Sequence, residues 1–329
     1  MLTVGLTYDL KTDYQFKAGD PPDANAEFDH PSTIEVIKGA IESQGYKVEP
    51  IGNAANLLEK LGRLKVDIVF NISEGMYGRN RESQVPILLE MAKIPFVGSD
   101  ALTLGITLDK IIAKKIFIAE KIPTPNFFEI SSLDQLRDAD HCKFPLIVKP
   151  RFEGSSKGLT ENSRVSNMDE LKRQVGHVVN NYKQPALVEE FISGTEFTVA
   201  VVDNDPPVAL PVVQVEIDGK LELNDMFYTF ARISSDRLKY VCPAPISPEL
   251  AKKMSDYALR VYRAVGCLDF GRIDFRVDPQ GNPYVLEINP LPCLSTEDVF
   301  MLIAKQIGIT YPEMLNRIIK NALKRYNRI

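Results

Sequence analysis

The sequence predicts a mixed α/β chain: an N-terminal unit built on a parallel sheet, followed by two units of α+β character. Three observations carry this. Residues 1 to about 105 alternate apolar strand-like runs with helical runs, the order that gives a parallel sheet with helices on both faces. Beyond residue 108, strand-like runs come in pairs separated by tight turns. The 329 residues, 44% hydrophobic and 25% charged, suit a globular chain of two or three domains. The expected divisions are 1–107, 108–199 and 200–329.

In the first region, "LTVGLT" reads as a buried strand. Residues 8–31 are polar and turn-rich, longer than an ordinary connection and therefore a candidate functional loop. Ser32 is expected to cap a helix running to Gln44, with Glu35 at the capping-box position and Gly45 as the stop. "YKVEPI" follows as a strand, "NLLEKLGRL" as a helix and "VDIVFN" as a buried strand. In such a sheet the loops after strand C-termini form the binding edge, which places "NISEGMYGRNRESQ" there. A helix from Val85 to Ala92 and then "IPFVGSD" close the region.

The second region opens with "LDKIIAKKIFIAEKI", an amphipathic helix ended by Pro123 and Pro125. "FPLIVKP" is a buried strand ending in Lys149, "RFEGSSKGL" a Gly- and Ser-rich turn and "LKRQVGHVV" a helix. "PALVEEFISGTEFTVAVV" gives two strands around Ser193 and Gly194. The third region holds a polar insertion (215–240), a helix from Pro248 to Val265, a hairpin, and a C-terminal helix from Pro312 to Tyr326.

Composition excludes several classes. A net charge of −5 argues against nucleic-acid binding by charge. No apolar run is long enough to span a bilayer and no signal peptide is visible, so a cytoplasmic protein is expected. Cys142, Cys242, Cys267 and Cys293 are spaced neither as a zinc motif nor as a disulfide framework. His30, His141 and His177 lie far apart, which leaves little support for His-based metal or triad chemistry.

The hairpin, "GRIDFRVDPQGNPYVLEINPLPCLS", carries the sharpest signal. Side chains alternate along a strand, so Arg272, Asp274 and Arg276 share one face, and Glu287 and Asn289 share a face of the returning strand. Ile273, Phe275, Val285, Leu286 and Ile288 remain to pack. Two carboxylates, an amide oxygen and a guanidinium suit a hard cation such as Mg²⁺ bound together with phosphate. A phosphate grip is available in "EGSSKG", where backbone N–H groups can cradle an anion beside Lys149; the Walker order is absent. Glu189, Glu190 and Glu196 end a strand, where an adenine can pair with backbone and a carboxylate can hold ribose hydroxyls.

Taken in order, strand-Lys, Gly/Ser loop, strand with Glu-Glu, Arg-x-Asp and Glu-x-Asn resemble the ATP-grasp fold, and more narrowly the D-alanine–D-alanine ligase family. The likeness runs through "EGMYGRNRESQVPILLEMAKIPFVGSD", "LDKIIAKKIF", "VKPRFEGSSKG", "LVEEFISGTEFTVAVV", "YVCPAPI" and the hairpin, most of residues 70–310. It implies an N-terminal pre-ATP-grasp domain and a two-subdomain ATP-grasp fold. It also implies an ATP-dependent carboxylate–amine ligase that works through an acyl phosphate, with ATP and two Mg²⁺ ions (for which Mn²⁺ can substitute). Lys110 and Lys149 then match the lysines on the ATP phosphates. Glu153, Ser155 and Ser156 lie in the loop that closes over them. Glu189, Glu190, Ile192 and Glu196 match the adenine and ribose positions. Asp274, Glu287 and Asn289 match the metal ligands, and Arg272 the arginine that stabilises the tetrahedral intermediate. Arg232 stands where the family carries a lysine near the transferring phosphate. A homodimer, small amino-acid or peptide substrates, and no nucleic-acid or membrane partner are also implied.

The departures concern the substrates. The family's N-terminal Gly-Gly-x-Ser-x-Glu motif is missing, and Glu27 is the best stand-in for its amine-binding glutamate. Cys293 replaces an oxyanion-hole glycine. Asp298 aligns with a serine expected to hold the second substrate's carboxylate, which an aspartate would repel, with Ser295 or Thr296 available to compensate. Ile233 replaces a tyrosine that supports the closed loop. Three readings stay open: a D-alanine–D-alanine ligase of cell-wall peptidoglycan synthesis, a ligase for other amino acids or small peptides, and a nucleotide-binding module without catalysis.

Overall fold

A computed structural model describes residues 1–138, 143–233, 235–295 and 298–328. His141, Cys142 and Thr296 lie outside the described residues. The N-terminal unit is a parallel sheet in the order β2-β1-β3-β4, with β1 (Thr3–Thr7), β2 (Lys47–Gly52), β3 (Ile68–Asn71) and β4 (Phe96–Val97). Helices α1 (Pro31–Ser43), α2 (Ala54–Lys60), α3 (Gln84–Ala92) and α4 (Ala101–Leu108) supply the crossovers and the cover. Ile68, Val69 and Phe70 are fully buried, as a strand covered on both faces requires.

The start of α1 differs from the expectation. Pro31 occupies the first helical turn and His30 the cap, without a side-chain capping bond. Proline's fixed φ suits that position, so Ser32 falls inside the helix and Glu35 lies within 3.9 Å of Lys38 instead of completing a capping box. The stop at Gly45 is as expected, with φ +85°. The anticipated helix from Leu108 is broken at Asp109, whose extended backbone ends α4 and whose side chain caps α5 (Lys110–Ala119) through the Ile112 N–H.

A second sheet is antiparallel, in the order β5-β8-β6-β7: β5 (Phe127–Ile130), β6 (Leu146–Pro150), β7 (Arg164–Val165) and β8 (Ala186–Glu190), with α6 (Met168–His177) packed on it. The third is a six-stranded sheet in the order β12-β11-β9-β13-β14, with β10 on β9. Its elements are β9 (Thr195–Val202), β10 (Val208–Ala209), β11 (Val213–Ile217), α7 (Phe230–Ile233), β12 (Leu238–Val241), α8 (Pro248–Ala264), β13 (Phe270–Val277), β14 (Pro283–Asn289), α9 (Val299–Gln306) and α10 (Tyr311–Arg325). The supposed polar insertion 215–240 thus contains the end of β11, α7 and the start of β12. The expected division at 199/200 falls inside β9, which pairs with β13 over its whole length. Helix α5 also packs on this sheet, with Ala113 and Phe117 buried among Phe197, Phe275, Met254 and Tyr262.

One core joins the two ends of the chain. Val4, Leu6, Ile37 and Phe70 of the first sheet and α1 share a cluster with Phe270, Phe300, Met314, Ile318 and Ile319. Arg325 of α10 closes the joint, donating to Asp269 Oδ2 (2.7 Å) and to the Phe96 carbonyl (2.9 Å).

Candidate active site

The sheet edges enclose a cavity of about 1490 Å³. Its wall is built by the loops after β1 and β3, the first residue of α5, the end of β6 with the loop after it, and the β13–β14 hairpin. On the hairpin, the register sets Arg272 opposite Asn289 and Asp274 opposite Glu287. A bulge follows Asp274, so Phe275 pairs with Val285 and the extra residue, Leu286, faces the cavity instead of the core.

Asp274 is held on several sides. Thr198 Oγ1 donates to it at 2.6 Å, Arg272 at 3.0 Å through two nitrogens, and Asn289 Nδ2 at 2.9 Å. Glu287 Oε2 lies 2.7 Å from Lys110 Nζ. Burial would raise the Glu287 carboxyl, but the Lys110 and Lys149 ammoniums outweigh it and bring it down to about 2. Arg276 is taken up elsewhere: it is buried against Glu196 (3.0 Å) and the Met226 and Asn224 carbonyls.

The Gly/Ser loop lies across the cavity from the hairpin. Ser155 and Ser156 both adopt left-handed backbone, φ +46° and +54°, a conformation that non-glycine residues seldom hold without surrounding restraint. Gly158 is obligatory: φ is +78°, and a Cβ there would sit 2.4 Å from Pro150. The restraint comes from residues 8–31. Glu27 accepts from the Gly154 N–H (2.6 Å) and Asp23 from the Gly158 N–H (2.7 Å). Tyr182 O–H also donates to Asp23 at 2.9 Å. Arg81 ties Glu27 (2.7 Å), Glu153 (3.2 Å) and the Phe152 carbonyl (2.8 Å) together, and Lys157 pairs with Glu153 at 2.8 Å. Glu27's carboxylate is therefore spent on Arg81 and the loop. Burial opposes its ionisation, and Arg81, Lys157 and the Gly154 N–H hold it below the ordinary carboxylate range all the same. The amine contact expected of Glu27 thus meets a carboxylate already paired with Arg81 and the Gly154 N–H.

Of the expected residues, the wall brings together Glu27, Lys110, Lys149, Glu153, Ser155, Ser156, Glu196, Arg272, Asp274, Glu287 and Asn289. Four others lie off it. Glu189, expected near the adenine amino group, is 1% exposed and bridges Lys114 (2.6 Å) and Lys149 (2.7 Å). Glu190 is exposed and accepts from Asn126 Nδ2, and Ile192 is buried. Arg232 is buried against the Phe227 carbonyl (2.7 Å) and Glu161 (3.0 Å). Lys114 was missed, although it stands one helical turn after Lys110 on the same face.

Glu74 and Glu82 were missed as well. They lie in the loop assigned to the binding edge, but nothing in the sequence says which of its side chains turn inward. Burial raises both carboxyls, Glu74 further by Glu82 and Glu27; Glu82, eased by Arg81 and Lys110, is still pushed up to about 8. At the far end, Asp298 caps α9 through the Val299 N–H and lies 3.9 Å from Arg272, with burial raising its carboxyl. Cys293 and Ile233 also line the cavity.

Among the described residues no three His, Cys, Asp or Glu side chains form a ready metal cage. Asp274, Glu287 and the Asn289 amide nonetheless supply hard oxygen donors on adjacent strands, a set that fits Mg²⁺ if phosphate and water complete its shell.

The family model described as D-ala D-ala ligase C-terminus matches residues 116–320. A D-alanine–D-alanine ligase of Carboxydothermus hydrogenoformans is 34% identical over 304 residues, covering 89% of this chain and 93% of that protein. An uncharacterized protein of Sinorhizobium fredii is 38% identical over 259 residues, 79% of this chain and 75% of that one. Two crystal structures of D-alanine–D-alanine ligase from Bacillus anthracis share the fold over 99% of both chains. One has a TM-score of 0.78 at 25% identity; the other, complexed with ATP, has 0.75 at 24%.

Proposed function

Since the chain belongs to the D-alanine–D-alanine ligase family, and is an ATP-dependent ligase of the ATP-grasp fold, we propose that its cavity binds ATP with Mg²⁺ and joins two small amino acids, D-alanine with D-alanine by default. The observation that carries this is the hairpin register, which sets Asp274 opposite Glu287 and Arg272 opposite Asn289, with Lys110 on Glu287. The Bacillus anthracis ligase crystallised with ATP supports the nucleotide.

In this reading a substrate carboxylate attacks the γ-phosphate, giving an acyl phosphate and ADP. A second substrate's amine then attacks the activated carbonyl and releases phosphate. Such chemistry needs positioning and charge neutralisation, not a protein nucleophile. Lys110 and Lys149 meet phosphate oxygens, and the Ser155 and Ser156 N–H groups of the Gly/Ser loop close over them. Arg272, held in place by Asp274, faces the charge that develops on the attacked carbonyl oxygen. Asp274, Glu287 and Asn289 would hold Mg²⁺, which when bound neutralises phosphate charge. Glu196, fixed by Arg276, and Glu153 border the nucleotide; the backbone, not the side chains, of residues 189–192 meets the adenine.

The domains follow the three sheets, with β9 and α5 counted with the C-terminal one. We also assign a homodimer contact to the exposed apolar residues Ile87 and Met91 of α3 and Leu102 of α4. Among the described residues no helix is long and apolar enough to cross a membrane; a cytoplasmic site and a role in cell-wall synthesis accord with D-alanine as substrate. A ligase for other amino acids or peptides is the second reading, favoured by Asp298 and Cys293 at the second-substrate end.

The test is phosphate release from MgATP over D- and L-amino acids, singly and in pairs, with product masses. D-alanyl-D-alanine from D-alanine alone is the expected outcome; product only from another pair selects the second reading. Glu287→Gln should abolish release while leaving the circular dichroism spectrum unchanged. Full activity in that variant refutes the assignment of the hairpin.

A further inference from the structure

Most acids on the cavity wall are already neutralised: Glu27 and Glu153 by Arg81, Glu196 by Arg276, Asp274 by Arg272 and Glu287 by Lys110. Glu74 and Glu82 are different. Both line the cavity, and neither side chain has a hydrogen bond or an ion pair among the described residues. Glu82 is only 8% exposed. A carboxyl this deeply seated, open to the cavity and with no protein donor aimed at it, is free to accept donors from a ligand. Its surroundings select the ligand. Glu27 and Asp29 also act on Glu74, but Glu27 is held by Arg81, and among the described residues no three acids form a metal cage, so the Glu74–Glu82 pair suits a single positive charge. Arg81 and Lys110 stand beside them and disfavour a divalent cation.

We propose that Glu74 and Glu82 form a subsite that receives a primary ammonium group of the amino-acid substrate. This rests on the ligase reading above. An ammonium has three N–H donors, enough to satisfy both carboxyls at once. Glu82 feels the Lys110 ammonium, and Lys110 holds Glu287 of the hairpin. A substrate anchored here by its nitrogen therefore extends its carboxylate toward Lys110 and Arg272, where phosphoryl transfer is placed. The role expected of Glu27 passes to a different pair, because Glu27 is engaged by Arg81 and the loop.

The ammonium has two sources, the α-amino group or a basic side chain. The experiment compares D-alanine with D-2,4-diaminobutyrate in MgATP-dependent phosphate release, using the full chain and its Glu74→Gln and Glu82→Gln variants. A rise of about 10- to 100-fold in KM for D-alanine, the size of one lost hydrogen bond to a charged group, identifies the α-ammonium. That rise confined to diaminobutyrate identifies a side-chain ammonium, and either result supports the subsite. The KM for ATP should stay constant, and Glu82→Asp should recover part of the loss. Unchanged amino-acid KM values in both variants overturn the subsite and leave the ligase reading standing; so does a rise of the ATP KM by the same factor, which marks a purely structural role. A wild-type chain that releases no phosphate with any amino acid overturns the ligase reading and the subsite with it.

Discussion

At Glu82 the chain carries an acid that folding pushes away from ionisation, and the sign of the effect on stability follows. Its carboxyl titrates from 4.5 in the open chain to about 8 when folded, because burial outweighs the help of Arg81 and Lys110. The folded state therefore holds the proton more tightly. The contribution is fully present below about pH 4.5 and is lost as pH rises through about 8. Each pH unit of displacement is worth about 1.4 kcal/mol, so the loss is on the order of a few kcal/mol. Urea unfolding of the free protein should show stability declining between pH 5 and 8, and Glu82→Gln should flatten that decline. A parallel decline in the variant would mean that Glu82 is ionised at no such cost. Glu27 and Glu287 lie the other way. Their folded carboxyls are lowered, so their stabilisation is present above the ordinary carboxylate range and lost as pH falls below it.

Among the elements, the segment between β1 and α1 acts on the Gly/Ser loop. Asp23 and Glu27 accept N–H groups at both ends of a loop whose two serines hold left-handed backbone. Length and polarity marked residues 8–31 as functional, yet not their target, because these partners lie 127 and 135 residues away along the chain. Asp23→Ala leaves the buried Gly158 N–H and the Tyr182 hydroxyl without their acceptor, at roughly 1–3 kcal/mol each. The loop then pays for its own ordering when ATP arrives, and the ATP KM should rise about 10-fold with the amino-acid KM little changed. An unaltered ATP KM would show that the loop closes without this anchor.

For the whole molecule, α10 reaches back to seal the N-terminal sheet onto the C-terminal one. Asp269 is fully buried; it accepts from the Gly98 N–H at 2.8 Å, from Asn204 at 2.8 Å and from Arg325 at 2.7 Å. Arg325→Ala leaves that carboxylate without its charge partner and should cost about 1.5–3 kcal/mol, read as a lower urea midpoint. An unchanged midpoint would mean that the apolar contacts of α1, α9 and α10 hold the joint without the ion pair.

What was legible in the sequence was periodic or contiguous. The alternation along residues 271–277 and 284–289 placed Arg272 and Asp274 on one face, and Glu287 and Asn289 on one face of the returning strand, because a strand's period of two is a local property. The parallel first sheet followed from the βαβα order for the same reason. Only the tertiary structure decided which acids remain free. Glu189 and Glu27 looked available for an adenine amino group and a substrate amine, yet Lys114 and Lys149 pair with one, and Arg81 and the Gly154 N–H with the other. Glu74 and Glu82, unremarkable in the chain, face the cavity without a partner among the described residues. The state of a buried charge is set by its neighbours in space, and these neighbours are brought together by folding from distant parts of the chain.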